Sequence, residues 1–294
     1  MKIPKRLQPL VEDGLIDEVV RQLMSGKEAV VFVVRCGDEV RCAKVYKEAD
    51  QRSFQNNAAY QEGRRTKNSR QARAMAKGSK YGRQQQEQAW QSHEVDTLHR
   101  LAAVGISVPK PYNFYEGVLL MELVTGEDGN AAPRLNDVEL SEAQALEYHA
   151  LLIDQVVKML CAGVIHGDLS EFNILLSEHG PVIIDLPQAV DAAANNSAKA
   201  MLERDVANMA SYFGRFAPQL LTTQYGLEIW DLYEHGLLTP ESSLSGKFRT
   251  SRQTADVSSV MREIRAAQLA EDRKRLAQVG RDADQGPEAK QKAP

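Results

Sequence analysis

The sequence predicts a two-lobed α+β protein, strand-rich in its N-terminal part and helical in its C-terminal part. Three observations predict this. Runs rich in Val, Phe and Tyr crowd the first part around one long helical stretch. Helical periodicity dominates after residue 141. That second part is interrupted by one small hairpin-like stretch. The expected boundaries are 1–121 for an N-lobe, 122–126 for a hinge, 127–238 for a C-lobe and 239–294 for a charged, partly disordered helical tail.

In chain order, residues 15–23 suit a short helix that ends at Ser25 and Gly26. Residues 29–34 and 40–46 flank Cys36-Gly37-Asp38 and read as a β-hairpin. The run 64–83 holds eight Lys/Arg and no acid, and Arg70, Arg73, Lys77 and Lys80 would share one face if it were helical. From Gln84 a helix continues through Trp90, Leu98 and Leu101 towards Gly105, and Pro109 and Pro111 stop it. Residues 118–124 look like a buried strand, followed by a Gly-Glu-Asp-Gly loop at 126–129. Ser141 and Gln144 have capping-box spacing. They open a helix with apolar residues at Leu146, Ala150, Ile153, Val157 and Leu160, which Gly163 ends. Residues 174–176 and 182–186 form the small hairpin, helices fill 197–235, and 256–279 alternates charge as a solvated helix would.

Bulk properties narrow the function. The chain has 294 residues, 43% hydrophobic and 26% charged, as in ordinary globular proteins. A net charge of -4 argues against wholesale polyanion binding, so any basic site must be local. Cys36, Cys42 and Cys161 have no CxxC spacing, which speaks against a disulfide framework or zinc site and fits a reducing compartment. The N-terminus lacks a signal peptide's apolar core, and no run approaches the roughly 20 apolar residues of a membrane span. The expected location is cytoplasmic, with no membrane partner.

The chemistry concentrates in Val164-Ile165-His166-Gly167-Asp168-Leu169-Ser170-Glu171-Phe172-Asn173 and the hairpin after it. A hairpin folds its ends together, so Asn173 and Asp185 face one point and can each offer an oxygen to Mg²⁺. Asp168, slightly apart, is placed to orient or deprotonate an attacking hydroxyl, a division of labour suited to phosphoryl transfer. Such a site also needs a cation for the phosphates. Lys44 lies in an apolar strand where an unpaired ammonium is costly, and Glu94 lies between Trp90 and Leu98 on an apolar helix face. Each answers the other's need for a partner, with Glu87 the competitor if the helix register differs. Ser25-Gly26-Lys27-Glu28-Ala29 precedes the first strand where a phosphate-covering loop would sit, yet it is neither GxGxxG nor a Walker A sequence.

These residues resemble the RIO family of atypical serine/threonine protein kinases, in the branch without an N-terminal winged helix, since few residues precede Ser25. The resemblance rests on His166 to Asn173, Ile183-Ile184-Asp185-Leu186-Pro187-Gln188, Ser25 to Ala29, Ala43-Lys44-Val45-Tyr46, and Met121-Glu122-Leu123-Val124 with Pro133-Arg134-Leu135. It implies a protein-kinase-like fold trimmed of peptide-substrate elements, ATP and Mg²⁺ as cofactors, and a protein acceptor that includes the chain itself. By that resemblance Asp168 is the catalytic acid/base and Asn173 and Asp185 hold Mg²⁺. Lys44 meets the phosphates, the backbones of Glu122 and Val124 meet adenine, and Met121 sits at the rear of the pocket. Asp185 is also a candidate phospho-acceptor in an ATPase-like cycle, and Pro187 departs from the small polar residue expected there. Two alternatives remain: a small-molecule hydroxyl kinase on the same fold, and a nucleotide-gated factor contacting rRNA or pre-ribosomes through 64–83.

Overall fold

The computed structural model describes residues 3–26, 28–47 and 80–248. Lys27, the basic run as far as residue 79, and the tail from 249, including the helix expected at 256–279, lie outside the described residues. The chain divides into two compact units, Met1–Phe248 and Arg249–Pro294, and the first carries everything that follows.

The N-lobe is a five-stranded antiparallel sheet made of β1 (Glu18–Ser25), β2 (Ala29–Cys36), β3 (Glu39–Tyr46), β4 (Pro111–Tyr115) and β5 (Val118–Glu122), in the order β1-β2-β3-β5-β4. Strand alternation sorts its side chains. Phe32, Val34, Ala43, Val45, Val118 and Leu120 pack with Leu7 and Leu10, around the short helix α1 (Gln8–Glu12), into a small core on one face. Directly paired residues share a face, so Val31↔Lys44, Val33↔Cys42 and Cys42↔Met121 belong to the other. That face looks towards the C-lobe.

The helix expected at 15–23 is not formed; β1 occupies its place. Ile16, Val19, Val20 and Leu23 have helical spacing, but only Ile16 and Val19 are buried, and β1 is bulged between Val19 and Arg21 and again between Gln22 and Met24, which breaks the alternation of an ordinary strand. The open edge of β2 supplies its backbone partners, and the β-branched pair Val19-Val20 suits a strand. Strand β4 follows the prolines that end the long helix and is held by β5, a pairing without a local signal.

Helix α2 (Lys80–Ala103) links the strands and lies against the cleft-facing side of the sheet through Glu94, with Val95, Leu98 and Leu101 in the main core. The C-lobe begins with α3 (Glu142–Cys161), whose Ser141–Gln144 capping box is present as read. Of the stripe read from the sequence, Ile153, Val157 and Leu160 are buried, Leu146 is half-buried and Ala150 is exposed, because the buried face is turned towards Ala145, His149, Leu152 and Val156. Gly163 ends the helix in the left-handed region with φ +73°. Short strands β6 (Val164–Ile165) and β9 (Val190–Asp191) pair around the segment between them. Within it, β7 (Ile174–Ser177) and β8 (Gly180–Ile183) form the expected hairpin. Helices α4 (Ala198–Phe213) and α5 (Tyr225–Glu234) complete the lobe. No described helix is long and apolar enough to cross a membrane.

Candidate active site

Register in β3 places Lys44 on the cleft-facing side, 8% exposed, and α2 brings Glu94, 4% exposed, directly to it. Lys44 Nζ lies 2.5 Å from Glu94 Oε1 and 2.9 Å from Asp185 Oδ1. Burial works against the ammonium, but Asp185 and Glu94 outweigh it and hold the Lys44 pKa well above the ordinary lysine value. Removing one partner from a buried pair strands the other charge, at a cost of about 3–5 kcal/mol. Glu94 is also anchored at its second oxygen, where the Tyr46 hydroxyl donates at 2.7 Å. Burial and the adjacent carboxylate raise the Tyr46 pKa, so the hydroxyl stays a donor.

The loop carrying Asp168 is held from below by α4. Asp205 accepts from the backbone N–H groups of Gly167 (2.7 Å) and Leu169 (3.2 Å), Asn208 donates to the Leu169 carbonyl (3.1 Å), and Arg204 donates to the Gly167 carbonyl. Gly167 has φ +79°, a conformation a side chain at that position would resist. His166 accepts from the Asp168 N–H at Nδ1 (3.2 Å), so its Nε2 is the protonated nitrogen and donates to the Ile184 carbonyl at 3.1 Å. Asp168 is thereby presented to the cleft, where Gln188 Nε2 donates to its Oδ2 at 3.2 Å. Partial burial raises the Asp168 pKa from its ordinary value despite the opposing charge of Arg204.

The β7–β8 hairpin pairs Ile174 with Ile183, which puts Asn173 and Asp185 just beyond its open end. The Ile184 N–H bonds the Asn173 carbonyl at 3.0 Å. Asn173 Nδ2 donates to the Asp168 carbonyl at 2.8 Å, which orients the amide so that its oxygen is the remaining ligand atom. Asp185 sits at φ +68°, an uncommon conformation for a residue with a side chain that Asp tolerates better than most. Its side chain is 43% exposed, and Lys44 holds its pKa below the ordinary value. Asn173 and Asp185 together offer hard oxygen donors, the set Mg²⁺ prefers.

At the hinge, the Glu122 N–H is spent on the Lys110 carbonyl (2.8 Å), and the Val124 carbonyl accepts from Ala132 (2.9 Å). What these residues can offer a purine is the Glu122 carbonyl and the Val124 N–H, an acceptor and a donor two residues apart. Met121 pairs with Cys42 on the cleft-facing side of the sheet. Ser25, Gly26 and Glu28 form the turn between β1 and β2, closed by Gly26 N–H to the Ala29 carbonyl at 2.9 Å. Lys47 Nζ donates to the Gly26 carbonyl at 2.5 Å.

Sequence reasoning gave no role to Tyr46, Asp205, Arg204, Asn208 or Gln188. Asp205 did carry a signal. It lies on the stripe of Leu202, Val206 and Met209, so a carboxylate occupies a core position of α4 and has to be satisfied there. Tyr46 carried a fainter one, two residues from Lys44 and therefore on the same face of β3.

A five-stranded sheet over a helical lobe, with a strand lysine tied to a helix glutamate above an Asp–Asn–Asp set, defines a protein-kinase-like fold. More narrowly, the chain belongs to the RIO domain family, which matches residues 30–225. The chain is similar to the RIO-type serine/threonine-protein kinase Rio1 of Haloferax volcanii, with 35% identity over 70% of this chain and 67% of that protein. It is 33% identical to the Methanocaldococcus jannaschii protein of the same name, over 68% of this chain and 64% of the relative. It is 31% identical to the human serine/threonine-protein kinase RIO1, over 72% of this chain and 36% of the relative. The match thus spans about two thirds of the archaeal relatives and about a third of the human one.

Proposed function

We propose that this protein transfers the γ-phosphoryl group of ATP to serine or threonine hydroxyls of a protein acceptor, itself included. The observation that supports this most is Lys44 Nζ within bonding distance of Glu94 and Asp185 at once, which ties the two lobes together where a triphosphate would lie. In this reading Lys44 binds phosphate oxygens, and the turn at 25–29 covers them. The Glu122 carbonyl and Val124 N–H would receive the adenine edge. Asn173 and Asp185 would hold Mg²⁺, which neutralises charge on the phosphates when bound. Asp168 orients the acceptor hydroxyl; as the new O–P bond forms and the bond to ADP breaks, it takes the hydroxyl proton. A raised pKa makes Asp168 a better base than an ordinary carboxylate.

The test is incubation with γ-labelled ATP and Mg²⁺, with and without protein acceptors. Asp168→Asn and Asp185→Ala should each abolish transfer, and Asp185→Ala should also weaken Mg²⁺-dependent ATP binding. Equal Mg·ATP affinity in wild type and Asp185→Ala would refute the ligand assignment. Acid-stable phosphate on protein supports hydroxyl transfer, whereas labile acyl-phosphate lost with Asp185→Ala would make Asp185 the acceptor in an ATPase-like cycle. Contact of the run 64–83 with rRNA rests on its charge, and RNA affinity that does not fall with salt would remove it.

A further inference from the structure

Between hinge and C-lobe, Arg134 forms an antiparallel bridge with Leu175 of β7. Directly opposed residues in such a bridge project to the same side. On β7, Ile174 and Leu176 point into the core, so Leu175 and Arg134 share the opposite, cleft-facing side. From there the guanidinium reaches the other lobe: Arg134 Nη2 lies 2.8 Å from the sulfur of Met24, which precedes the turn at 25–29. A thioether is a weak acceptor for a group with five N–H donors, and Arg134 has no carboxylate partner among the described residues. Arg134 also lies near enough to Asp185 to contribute to that carboxyl's lowered pKa. A permanently charged, planar donor is therefore held at the cleft edge with its strongest bonding capacity unused.

We propose that Arg134 is a nucleotide-binding residue that moves from the Met24 sulfur to a phosphate oxygen of the bound nucleotide. The position favours this ligand over an acceptor peptide, since Arg134 stands between the residue that leads into the phosphate-covering turn and the carboxylate that faces the phosphates. A guanidinium meets phosphate with paired N–H donors, a far stronger contact than one to sulfur. The inference rests on the ATP-binding reading, and its test separates the two.

Binding of adenosine, ADP and ATP, with Mg²⁺, is measured on the full chain as wild type, Arg134→Met and Arg134→Lys. Arg134→Met should weaken ATP about tenfold and ADP measurably, leave adenosine within about twofold, and flatten the salt dependence of ATP binding; Arg134→Lys should recover part of the loss. Met24→Leu removes the sulfur and should leave ATP affinity within about twofold. Equal losses for adenosine and ATP would make Arg134 a wall of the pocket and overturn the proposal. Tighter binding of all three would make it a latch that blocks entry, and no change would make the contact idle; both also overturn it. If Arg134→Met is unstable, Arg134→Lys with full ATP affinity but unaltered salt dependence overturns it equally. Wild type that binds none of the three would defeat the ATP reading itself.

Discussion

Replacing Tyr46 by Phe removes one hydroxyl from a buried charge cluster and little else. The ring is 1% exposed and keeps its edge contact with Phe114, with centroids 6.2 Å apart, so packing is preserved. The change strips Glu94 Oε2 of the donor it has at 2.7 Å, while Oε1 retains Lys44. A hydrogen bond to a charged group contributes about 1.5–3 kcal/mol, and here the orphaned oxygen stays buried, so a loss of about 2 kcal/mol is expected. For a unit of this size that corresponds to a fall of about 4–8 °C in Tm, and in denaturant to a lower midpoint with an unchanged slope. Function should suffer in the same direction. With one anchor left, Glu94 holds Lys44 less firmly against its existing bond to Asp185, and the KM for ATP should rise more than kcat falls. Denaturation and steady-state kinetics on the same samples check both. A stability loss below about 0.5 kcal/mol with an unchanged KM would show that Lys44 alone orients Glu94 and refute the reasoning.

Gln188 donates to Asp168 Oδ2, which favours the ionised carboxylate. Gln188→Leu should therefore raise the Asp168 pKa further and move the acid limb of the kcat–pH profile to higher pH; an unmoved limb would show that the bond does nothing in turnover. His149, 2% exposed between Phe213 and Tyr225, has its pKa pushed down to about 4 by burial, against 6.5 when unfolded. The unfolded chain binds the proton first, so the contribution of His149 is whole above about pH 6.5 and is lost progressively as pH falls towards 4. The expected loss is about 3 kcal/mol. His149→Phe should flatten the stability curve across that window, and denaturation at pH 7, 5.5 and 4.5 would show whether it does.

Much of the site was legible because its chemistry is packed into short stretches. His166, Asp168 and Asn173 fall within eight residues, and the hairpin that returns Asp185 to Asn173 announces itself by two apolar runs around a turn. Lys44 and Glu94 could be paired across 50 positions because each is a charge in an apolar setting. The fold class was equally open to reading, from strand-rich to helical order, and the described lobes follow it. Where reading went astray, at β1, two bulges break the alternation of an ordinary strand, and β4 was passed over because its pairing comes from β5.

By itself, then, the amino-acid order determined which residues are capable of chemistry and which short segments present them, since turn residues, alternation and helical stripes act over a few neighbours. Tertiary structure alone decided that Asp205, 38 residues from Gly167, braces the loop of Asp168. It also decided that Tyr46 shares Glu94 with Lys44, and that Arg134 reaches across 110 positions to Met24. Those choices depend on sheet register and on how α2 and α4 dock, and a charge buried by docking takes whichever partner the packed lobes bring within about 3 Å.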